Sequence, residues 1–288
     1  MKDILIALSE ILLNKKLKEG INIIKHYLIT GDTHGRVMER ISHIPSHYEP
    51  AETALIILGD AGINFYLNKT DKKNKKIINH TGYIIYCVRG NHEERPENIE
   101  TMEQWYDCEI DGTVWRESEY PNIRYLMDGH AYLIDKKPTL VIGGAYSVDK
   151  YYRLSHFSPD AEWTGWFKDE QLTKEEMNSI TERFNGKHFT LILSHTCPAS
   201  WQPFDLFLSG LDQSTVDKTM ENWLETFKDE IDWDIWLFGH FHDDRLVRPG
   251  VEMYYNDIED LQDILTRWTG EGRLDWWLKK DPNYDLSV

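Results

Sequence analysis

Five short apolar runs in this sequence are each followed at once by residues that bind metals or phosphate. The runs are Ile23–Ile29, Ala54–Leu58, Tyr83–Val88, Phe189–Leu193 and Ile235–Phe238. Each has the length of a strand, and several are almost continuously apolar, as strands buried on both faces are. The segments that follow them are Gly31-Asp32-Thr33-His34-Gly35, Gly59-Asp60, Arg89-Gly90-Asn91-His92-Glu93, Ser194-His195 and Gly239-His240-Phe241-His242. Because ligands of open α/β sheets bind at the carboxyl ends of the strands, we expect these side chains to meet in one crevice.

The rest of the chain indicates an α/β architecture, in which strands alternate with helices. Further strand-length runs are Ala131–Ile134, Leu140–Ile142 and Val251–Tyr255. The helix-compatible segments between strands are Met38–Ile41, Ile99–Asp107, Lys174–Phe184 and Val216–Lys228. The basic run from Lys69 to Lys76 is predicted to be a solvated loop.

Both ends of the sequence have helical character. Apolar residues recur at nearly helical spacing over residues 2–19, before Gly20, and again over Leu261–Trp268. The adjacent Trp276 and Trp277 are expected to dock on the body of the protein or on another subunit. We therefore predict an N-terminal helical extension at 1–22, one domain at 23–256, and a C-terminal helical and aromatic tail at 257–288 packed on that domain.

Composition limits the partners. The chain has 32 Lys and Arg against 49 Asp and Glu, a net charge of −17, which disfavours nonspecific binding to nucleic acid. A small phosphorylated substrate, drawn into a locally positive pocket, is compatible with this charge. No apolar stretch is long enough to span a membrane, and three scattered cysteines favour a reducing, cytoplasmic location. The oligomeric state is left open.

The residues after the strands have the chemistry of a metal centre. Asp32 and His34, two residues apart in an extended segment, point the same way, and so do His240 and His242. Carboxylate, amide and imidazole ligands without a thiolate suit Mn, Fe, Zn or Ni. Seven ligands are too many for one ion but fit two. Two divalent ions (+4), two aspartates (−2) and one hydroxide (−1) leave about +1 to receive a phosphate.

The ordered series GDTHG, GD, GNHE, SH and GHFH, from Gly31 to His242, resembles the calcineurin-like metallophosphoesterases. The resemblance implies an α/β fold with a four-layer α/β/β/α sandwich and helical extensions at both ends. It also implies a two-metal phosphoesterase in which a hydroxide bridging the metals attacks phosphorus. The residue roles that it implies are Asp32, His34 and His242 on the first metal, Asn91, His195 and His240 on the second, Asp60 as the bridge, and His92 as the catalytic residue that contacts the phosphate and protonates the leaving oxygen.

The second motif departs from one branch of this family. The protein phosphatases and diadenosine-tetraphosphatases usually have GDxxDRG here, and its Arg grips phosphate, whereas this chain has Ile63 and Asn64 in place of the Asp and Arg. Arg36 or Arg95 could replace that arginine, although each is as compatible with an ordinary surface position. The candidate substrate-binding residues are Arg36, Arg89, Tyr146 and Arg153.

The leading functional hypothesis is hydrolysis of a small or nucleotide-like phosphate mono- or diester. Protein phosphatase activity is weakened by Ile63 and Asn64, and nuclease activity by the negative charge and the lack of a basic aromatic groove. A non-catalytic scaffold of the same fold is the alternative from another class, and the complete ligand set together with His92 argues against it.

Overall fold

The computed structural model describes residues 24–156, 165–207 and 214–270. The predicted helix at residues 2–19 and the pair Trp276 and Trp277 lie outside the described residues. The strands are β1 (His26–Thr30), β2 (Thr53–Ile57), β3 (Ile84–Cys87), β4 (Met102–Asp107), β5 (Gly112–Glu117), β6 (Ile123–Leu126), β7 (His130–Ile134), β8 (Lys137–Ile142), β9 (His188–Ser194), β10 (Asp232–Phe238), β11 (Arg245–Arg248), β12 (Val251–Met253) and β13 (Glu259–Asp260).

Six α-helices occur within those residues. They are α1 (Val37–Ser42), α2 (Lys69–Asn79), α3 (Lys150–His156), α4 (Lys174–Phe184), α5 (Thr219–Phe227) and α6 (Leu261–Thr269). Short 3₁₀ turns are found at Pro50–Glu52, Pro96–Asn98, Ala199–Trp201 and Phe204–Leu206. None of the helices described is long and apolar enough to cross a membrane.

The strands form two mixed sheets. One sheet has the order β13-β1-β2-β3-β6-β5-β4, and the other has the order β11-β12-β10-β9-β8-β7. Strands β1, β2, β3 and β6 are parallel to one another, as are β8, β9, β10 and β12, whereas the outer strands are antiparallel. Each sheet therefore has a central parallel part, and the predicted site residues follow strands of these parts.

Alternation along the strands explains the layers. Side chains of a strand alternate between its two faces, so Ile29 and Ile56 enter a core shared with Leu193 and Leu237 of the other sheet. The opposite faces bear helices, with α1 and α2 on the first sheet and α4 and α5 on the second. The order helices, sheet, sheet, helices confirms the predicted sandwich.

Helix α6 covers one side of the shared core. Its apolar residues recur at helical spacing and belong to the cluster between the sheets, namely Leu261, Ile264, Leu265 and Trp268. The side chain of Asp260 accepts a hydrogen bond from Gln262 N and caps the helix at its N-terminus. A helix is thus present where the sequence predicted one, and it packs on the body of the domain.

Two local predictions were wrong. The basic run from Lys69 is the helix α2 rather than a loop, because Asn68 caps it and Lys75 and Ile78 are buried along one face. Ile99–Asp107 is not helical, since Met102–Asp107 is strand β4 and pairs with β5 in a hairpin.

Candidate metal centre

The predicted ligands meet at one edge of the sandwich, between the two sheets. Asp32, Asp60 and Asn91 follow β1, β2 and β3 of one sheet, whereas His195, His240 and His242 follow β9 and β10 of the other. Two hydrogen bonds join the sheets at this edge. His195 Nδ1 lies 2.8 Å from the carbonyl oxygen of Leu58, and His240 N donates to Asp32 Oδ1 at 2.9 Å. Parallel pairing within each sheet places all of these strand ends on the same side.

The backbone is unusual at four of these residues. His34, Asp60, His240 and His242 have positive φ angles of 45°, 48°, 71° and 56°. This left-handed region is uncommon for residues other than glycine, although Asp and His enter it more readily than most. Such conformations gather at functional sites, where the surrounding structure holds them. Here they turn each side chain back toward the space between the sheets.

Glycines of the motifs leave room for their neighbours. Gly59 has a φ of +96°, and a Cβ atom on it would lie 1.9 Å from His195 Nδ1. A Cβ atom on Gly90 would lie 1.9 Å from Asp60 Oδ1. Both positions therefore require glycine, because any side chain would displace a predicted ligand.

Substitution of Gly59 by alanine is expected to damage the site far more than a comparable strained glycine elsewhere. Gly186 has a similar φ of +70° but nothing within 4 Å of its Cβ position, so Gly186→Ala adds only backbone strain, about 1–2 kcal/mol. Gly59→Ala adds the displacement of His195 to that strain. Metal binding measured by titration is expected to fall sharply in Gly59→Ala and to be unchanged in Gly186→Ala. Equal metal binding by the two variants would contradict this reading.

The first group of potential ligand atoms comprises Asp32, His34 and His242, whose atoms lie within 4.8 Å of one another. His34 Nε2 and His242 Nε2 are 2.8 Å apart. Asp32 Oδ2 lies 3.3 Å from His242 Nε2 and 3.8 Å from His34 Nε2. Ligands bound to one ion at about 2.0–2.2 Å are separated by about 3 Å. The three side chains are therefore arranged as ligands that share one ion.

The second group comprises Asp32, Asp60 and His195, all buried. Asp60 Oδ2 lies 3.8 Å from His195 Nε2 and 3.8 Å from His34 Nδ1, so it is placed between the two groups. Asn91 Oδ1 is 2.8 Å from His195 Nε2, and the rings of His195 and His240 are 5.0 Å apart. The structure thus brings all seven predicted ligands into one cluster.

Some contacts inside the cluster place acceptor atoms together without a donor. In neutral His195, the proton on Nδ1 faces the Leu58 carbonyl, so Nε2 directs a lone pair at another acceptor, Asn91 Oδ1. Asp32 Oδ2 and Asp60 Oδ2 are buried and accept no hydrogen bond. Buried acceptors without a donor are costly, and a cation removes that cost. The positions of these acceptor atoms therefore fit the binding of divalent metal ions.

The protonation states agree with this fit. Burial lowers the pKa of His34 and brings that of His240 to about 3, so both rings are neutral near pH 7. Burial acts to raise the pKa of Asp32 and Asp60, but the positive charge that nearby histidines carry when protonated, His195 first among them, outweighs burial and lowers both pKa values. The hydrogen bond to Asp32 raises the pKa of His242, so a metal ion that binds there displaces the proton of His242. Ionised carboxylates and neutral imidazoles are the forms that bind metal.

His92 stands beside the ligand cluster rather than within it. Its Nε2 atom is 3.9 Å from Asp60 Oδ2, and its backbone N–H donates to Asp60 Oδ1 at 2.8 Å. Burial lowers its pKa. With the Asp60 and His240 side chains, it lines a cavity of about 540 Å³. A somewhat larger cavity, about 640 Å³, lies elsewhere near Leu67 and contains none of the predicted ligands.

The four candidate substrate-binding residues have different surroundings. Tyr146 lines the cavity. Arg36 is exposed and does not line it, but its Nη2 lies 3.4 Å from the hydroxyl of Tyr255, which stacks on the cavity residue His242. Arg153 is not a lining residue itself, but its Nε donates to Oδ2 of Asp149, which lines the cavity, at 2.7 Å, and its Nη1 donates to Gly165 O at 2.9 Å. Tyr146 therefore lies in the cavity wall, Arg153 pairs with a residue of that wall, and Arg36 lies beside a tyrosine that stacks on a predicted ligand.

Arg89 is engaged in the fold instead. It is 4% exposed, its Nε donates to Asp128 Oδ2 at 2.7 Å, and its Nη1 donates to the Glu170 carbonyl at 2.7 Å. Arg95 is also buried, and its guanidinium pairs with Glu176 at 2.7 Å. Neither guanidinium is therefore available to a phosphate, which sequence position alone could not reveal.

Sequence reasoning missed three residues that brace the centre. Buried Arg40 donates to Thr30 Oγ1 and to the carbonyl oxygens of Asp32 and Tyr255. Ser147 and Glu170 form a hydrogen-bonded chain with Asn91. Ser147 follows the end of β8, as the ligands follow their strands, and that position was the one signal that could have drawn attention to it.

Comparison with known proteins bears on the same region. A solved crystal structure is similar over 83% of this chain and 96% of its own length, at 12% sequence identity and a TM-score of 0.45. No similar curated protein was found. The family model for the calcineurin-like phosphoesterases matches residues 25–244, which include every predicted ligand. The chain therefore belongs to the calcineurin-like phosphoesterase family.

Proposed function

We propose that this protein is a dinuclear metal-dependent hydrolase of a small or nucleotide-like phosphate mono- or diester. The observation that carries the proposal is the convergence of the seven predicted ligand side chains, among which Asp32 Oδ2 and Asp60 Oδ2 are buried without a donor and His195 Nε2 faces Asn91 Oδ1. Asp32, His34 and His242 are proposed to hold one ion and Asn91, His195 and His240 the other, with Asp60 between them. When bound, two divalent ions of the Mn, Fe, Zn or Ni type supply positive charge for the phosphate and lower the pKa of water.

His92 is the proposed general acid. It lies within reach of the ligand cluster but belongs to neither group of ligand atoms, so its ring is free to contact a substrate in the cavity. A proton on its Nε2 atom stabilises the phosphate and then passes to the leaving oxygen. The backbone hydrogen bond to Asp60 fixes the main chain of His92 relative to the ligands.

The cavity supports a small substrate. Its walls include the apolar and aromatic side chains of Tyr146, Phe207 and Phe241. The rings of Phe207 and Phe241 are stacked with centroids 6.2 Å apart, a suitable wall for a planar organic group. Such a volume admits a nucleotide-sized group, and the aromatic wall would contact its non-reacting part.

Charge disfavours larger polyanions. The cavity lining includes Asp149, Asp217 and Glu221 but only one lysine, Lys218. At the position where related phosphatases carry an arginine, the Asn64 side chain is buried and accepts a hydrogen bond from Lys75. With a net charge of −17 as well, phosphoproteins and nucleic acids are less suitable substrates.

Hydrolysis by metal-stripped full-length protein tests the proposal. Mn, Ni, Zn or Fe is added back, and the substrates are p-nitrophenyl phosphate, bis-p-nitrophenyl phosphate, a phosphopeptide and a single-stranded oligonucleotide. We expect metal-dependent turnover of one or both nitrophenyl esters, whose ratio would define the enzyme as a mono- or diesterase. Preference for the phosphopeptide or oligonucleotide would overturn the substrate assignment, and absence of turnover with two bound ions would favour a scaffold.

A further inference from the structure

The orientation of the Asn91 side chain decides whether it can serve as a ligand. An amide has an oxygen on one side and an NH₂ group on the other, and the two are related by a half-turn. Here Oδ1 is 2.8 Å from His195 Nε2, and Nδ2 donates to Ser147 Oγ at 2.8 Å. The half-turned amide would instead donate its NH₂ group to the lone pair of His195. Without a metal, this second orientation is the better hydrogen-bonding arrangement on the His195 side.

Ser147 opposes that half-turn through Glu170. The Ser147 hydroxyl donates to Glu170 Oε2 at 2.5 Å, and Ser147 N donates to Glu170 Oε1 at 3.1 Å. A carboxylate only accepts, so the hydroxyl proton is committed to Glu170 and the oxygen of Ser147 is left to accept from Asn91. The direction of donation is therefore fixed from Asn91 through Ser147 to Glu170.

The far end of this chain is itself well anchored. Ser147 and Glu170 are 2% and 3% exposed, so water does not replace these hydrogen bonds readily. The carbonyl oxygen of Glu170 accepts from the buried Arg89, whose own carbonyl accepts from Gly144 N. The segment after β8 and the segment after β3 are thereby held at a fixed separation.

We propose that Ser147 and Glu170 are positioning residues that keep Asn91 Oδ1 directed at the metal position shared with His195. The inference rests on the proposed function, because Asn91 is a ligand only if that position binds a metal. In the absence of the Ser147 hydroxyl, the amide turns toward His195, and its NH₂ group occupies the lone pair that the metal needs. Asn91 Oδ1 and His195 Nε2 would then both be unavailable to the metal, because one hydrogen bond joins the two side chains.

Metal affinity of Ser147→Ala tests the inference directly. We expect the first Mn²⁺ to bind as in the wild type and the second to bind about 10–100-fold more weakly, as when partners of metal ligands are removed. Equilibrium dialysis with elemental analysis gives the affinities, and the electron paramagnetic resonance signal of coupled Mn²⁺ pairs reports joint occupancy. Ser42→Ala is the matched control, because the Ser42 hydroxyl is exposed and donates only to the Glu39 carbonyl within its own helix.

Glu170 provides an independent variant should Ser147→Ala fold poorly. The Gln carbonyl in Glu170→Gln still accepts from the Ser147 hydroxyl, whereas Glu170→Ala removes both acceptors. We therefore expect the second affinity to fall less in Glu170→Gln than in Glu170→Ala. Equal loss in the two, or no loss in either, would overturn the role of Glu170.

A double-mutant cycle separates positioning from general damage to the fold. A carboxylate presents an oxygen whichever way it turns, so Asn91→Asp needs no orienting partner. Adding Ser147→Ala to Asn91→Asp is expected to weaken the second ion by less than about threefold, well short of the loss in the wild-type background. The same loss in both backgrounds would overturn the inference, whereas failure of the wild type to bind two ions would overturn the proposed function instead.

Discussion

Asp60→Asn is expected to lower metal-dependent turnover at least about a hundredfold. Replacing residues that only support metal ligands already costs about 10–100-fold in metal affinity or activity, and Asp60 is a predicted ligand. Asp60 Oδ2 lies 3.8 Å from Nδ1 of His34 in one group and 3.8 Å from Nε2 of His195 in the other, so a neutral amide there is expected to weaken both metal positions at once. The oxygen of the amide can still accept from His92 N, as Asp60 Oδ1 does. The fold should therefore survive, and thermal unfolding of the metal-free proteins should show similar stability.

The matched control is Asp205→Asn. Asp205 is an exposed carboxylate that pairs with Arg245 at 2.8 Å on the surface and belongs to neither ligand group. Its variant should bind metal and hydrolyse bis-p-nitrophenyl phosphate as the wild type does. Retention of metal-dependent activity by Asp60→Asn would contradict the placement of this carboxylate between the two ions.

His92→Gln is expected to separate chemistry from metal binding. Loss of a general acid costs about 10²–10⁴-fold in turnover, whereas neither ligand group includes His92. The number of bound ions should therefore stay the same while kcat falls. The loss should be smaller for an ester whose leaving group is already a good one, such as p-nitrophenolate, than for an alkyl phosphate.

Substrates with leaving groups of graded pKa measure this difference. We expect the ratio of wild-type to His92→Gln turnover to rise as the leaving group becomes more basic, because the proton then matters more. A ratio independent of the leaving group would assign His92 to phosphate binding alone. Loss of bound metal in His92→Gln would instead make it a ligand, contrary to its place in the structure.

The central strands and the ligand cluster were predictable because they depend on local patterns. Continuous apolar runs mark strands buried on both faces, and the ends of those strands give the position of Asp32, Asp60 and His195 directly. Parallel pairing then brings the ends together whatever the details of the loops. The sequence contained this information in residue order alone.

The outer elements were less predictable because tertiary contacts decide them. Strand β4 has few buried residues, and Trp105 on it is covered by Arg116 and Arg124, whose guanidinium groups lie 4.2 and 5.0 Å from its ring. The hydrophobic periodicity of the sequence does not reveal such contacts. Helix α2 has five lysines among its eleven residues, so its apolar signal is weak, although the buried Lys75 pairs with Glu117 of β5.

Tertiary contacts also explain why the residues that support the site could not be predicted from the sequence. Arg89 is a candidate substrate-binding residue in the sequence, but its partners Asp128 and Glu170 lie far along the chain and engage its guanidinium in the fold. Glu170 belongs to no motif and reaches Asn91 only through Ser147. Motifs therefore identified the ligands, whereas the residues that orient them required coordinates.

The count of metal ions bound per chain tests the central claim most directly. Metal-stripped wild-type protein would be dialysed against a range of Mn²⁺ concentrations, and metal and protein would be quantified by elemental analysis and absorbance. We predict saturation at two ions per chain, with a coupled Mn²⁺ pair visible by electron paramagnetic resonance. Saturation at one ion, or no binding above that of Asp60→Asn, would contradict a dinuclear centre.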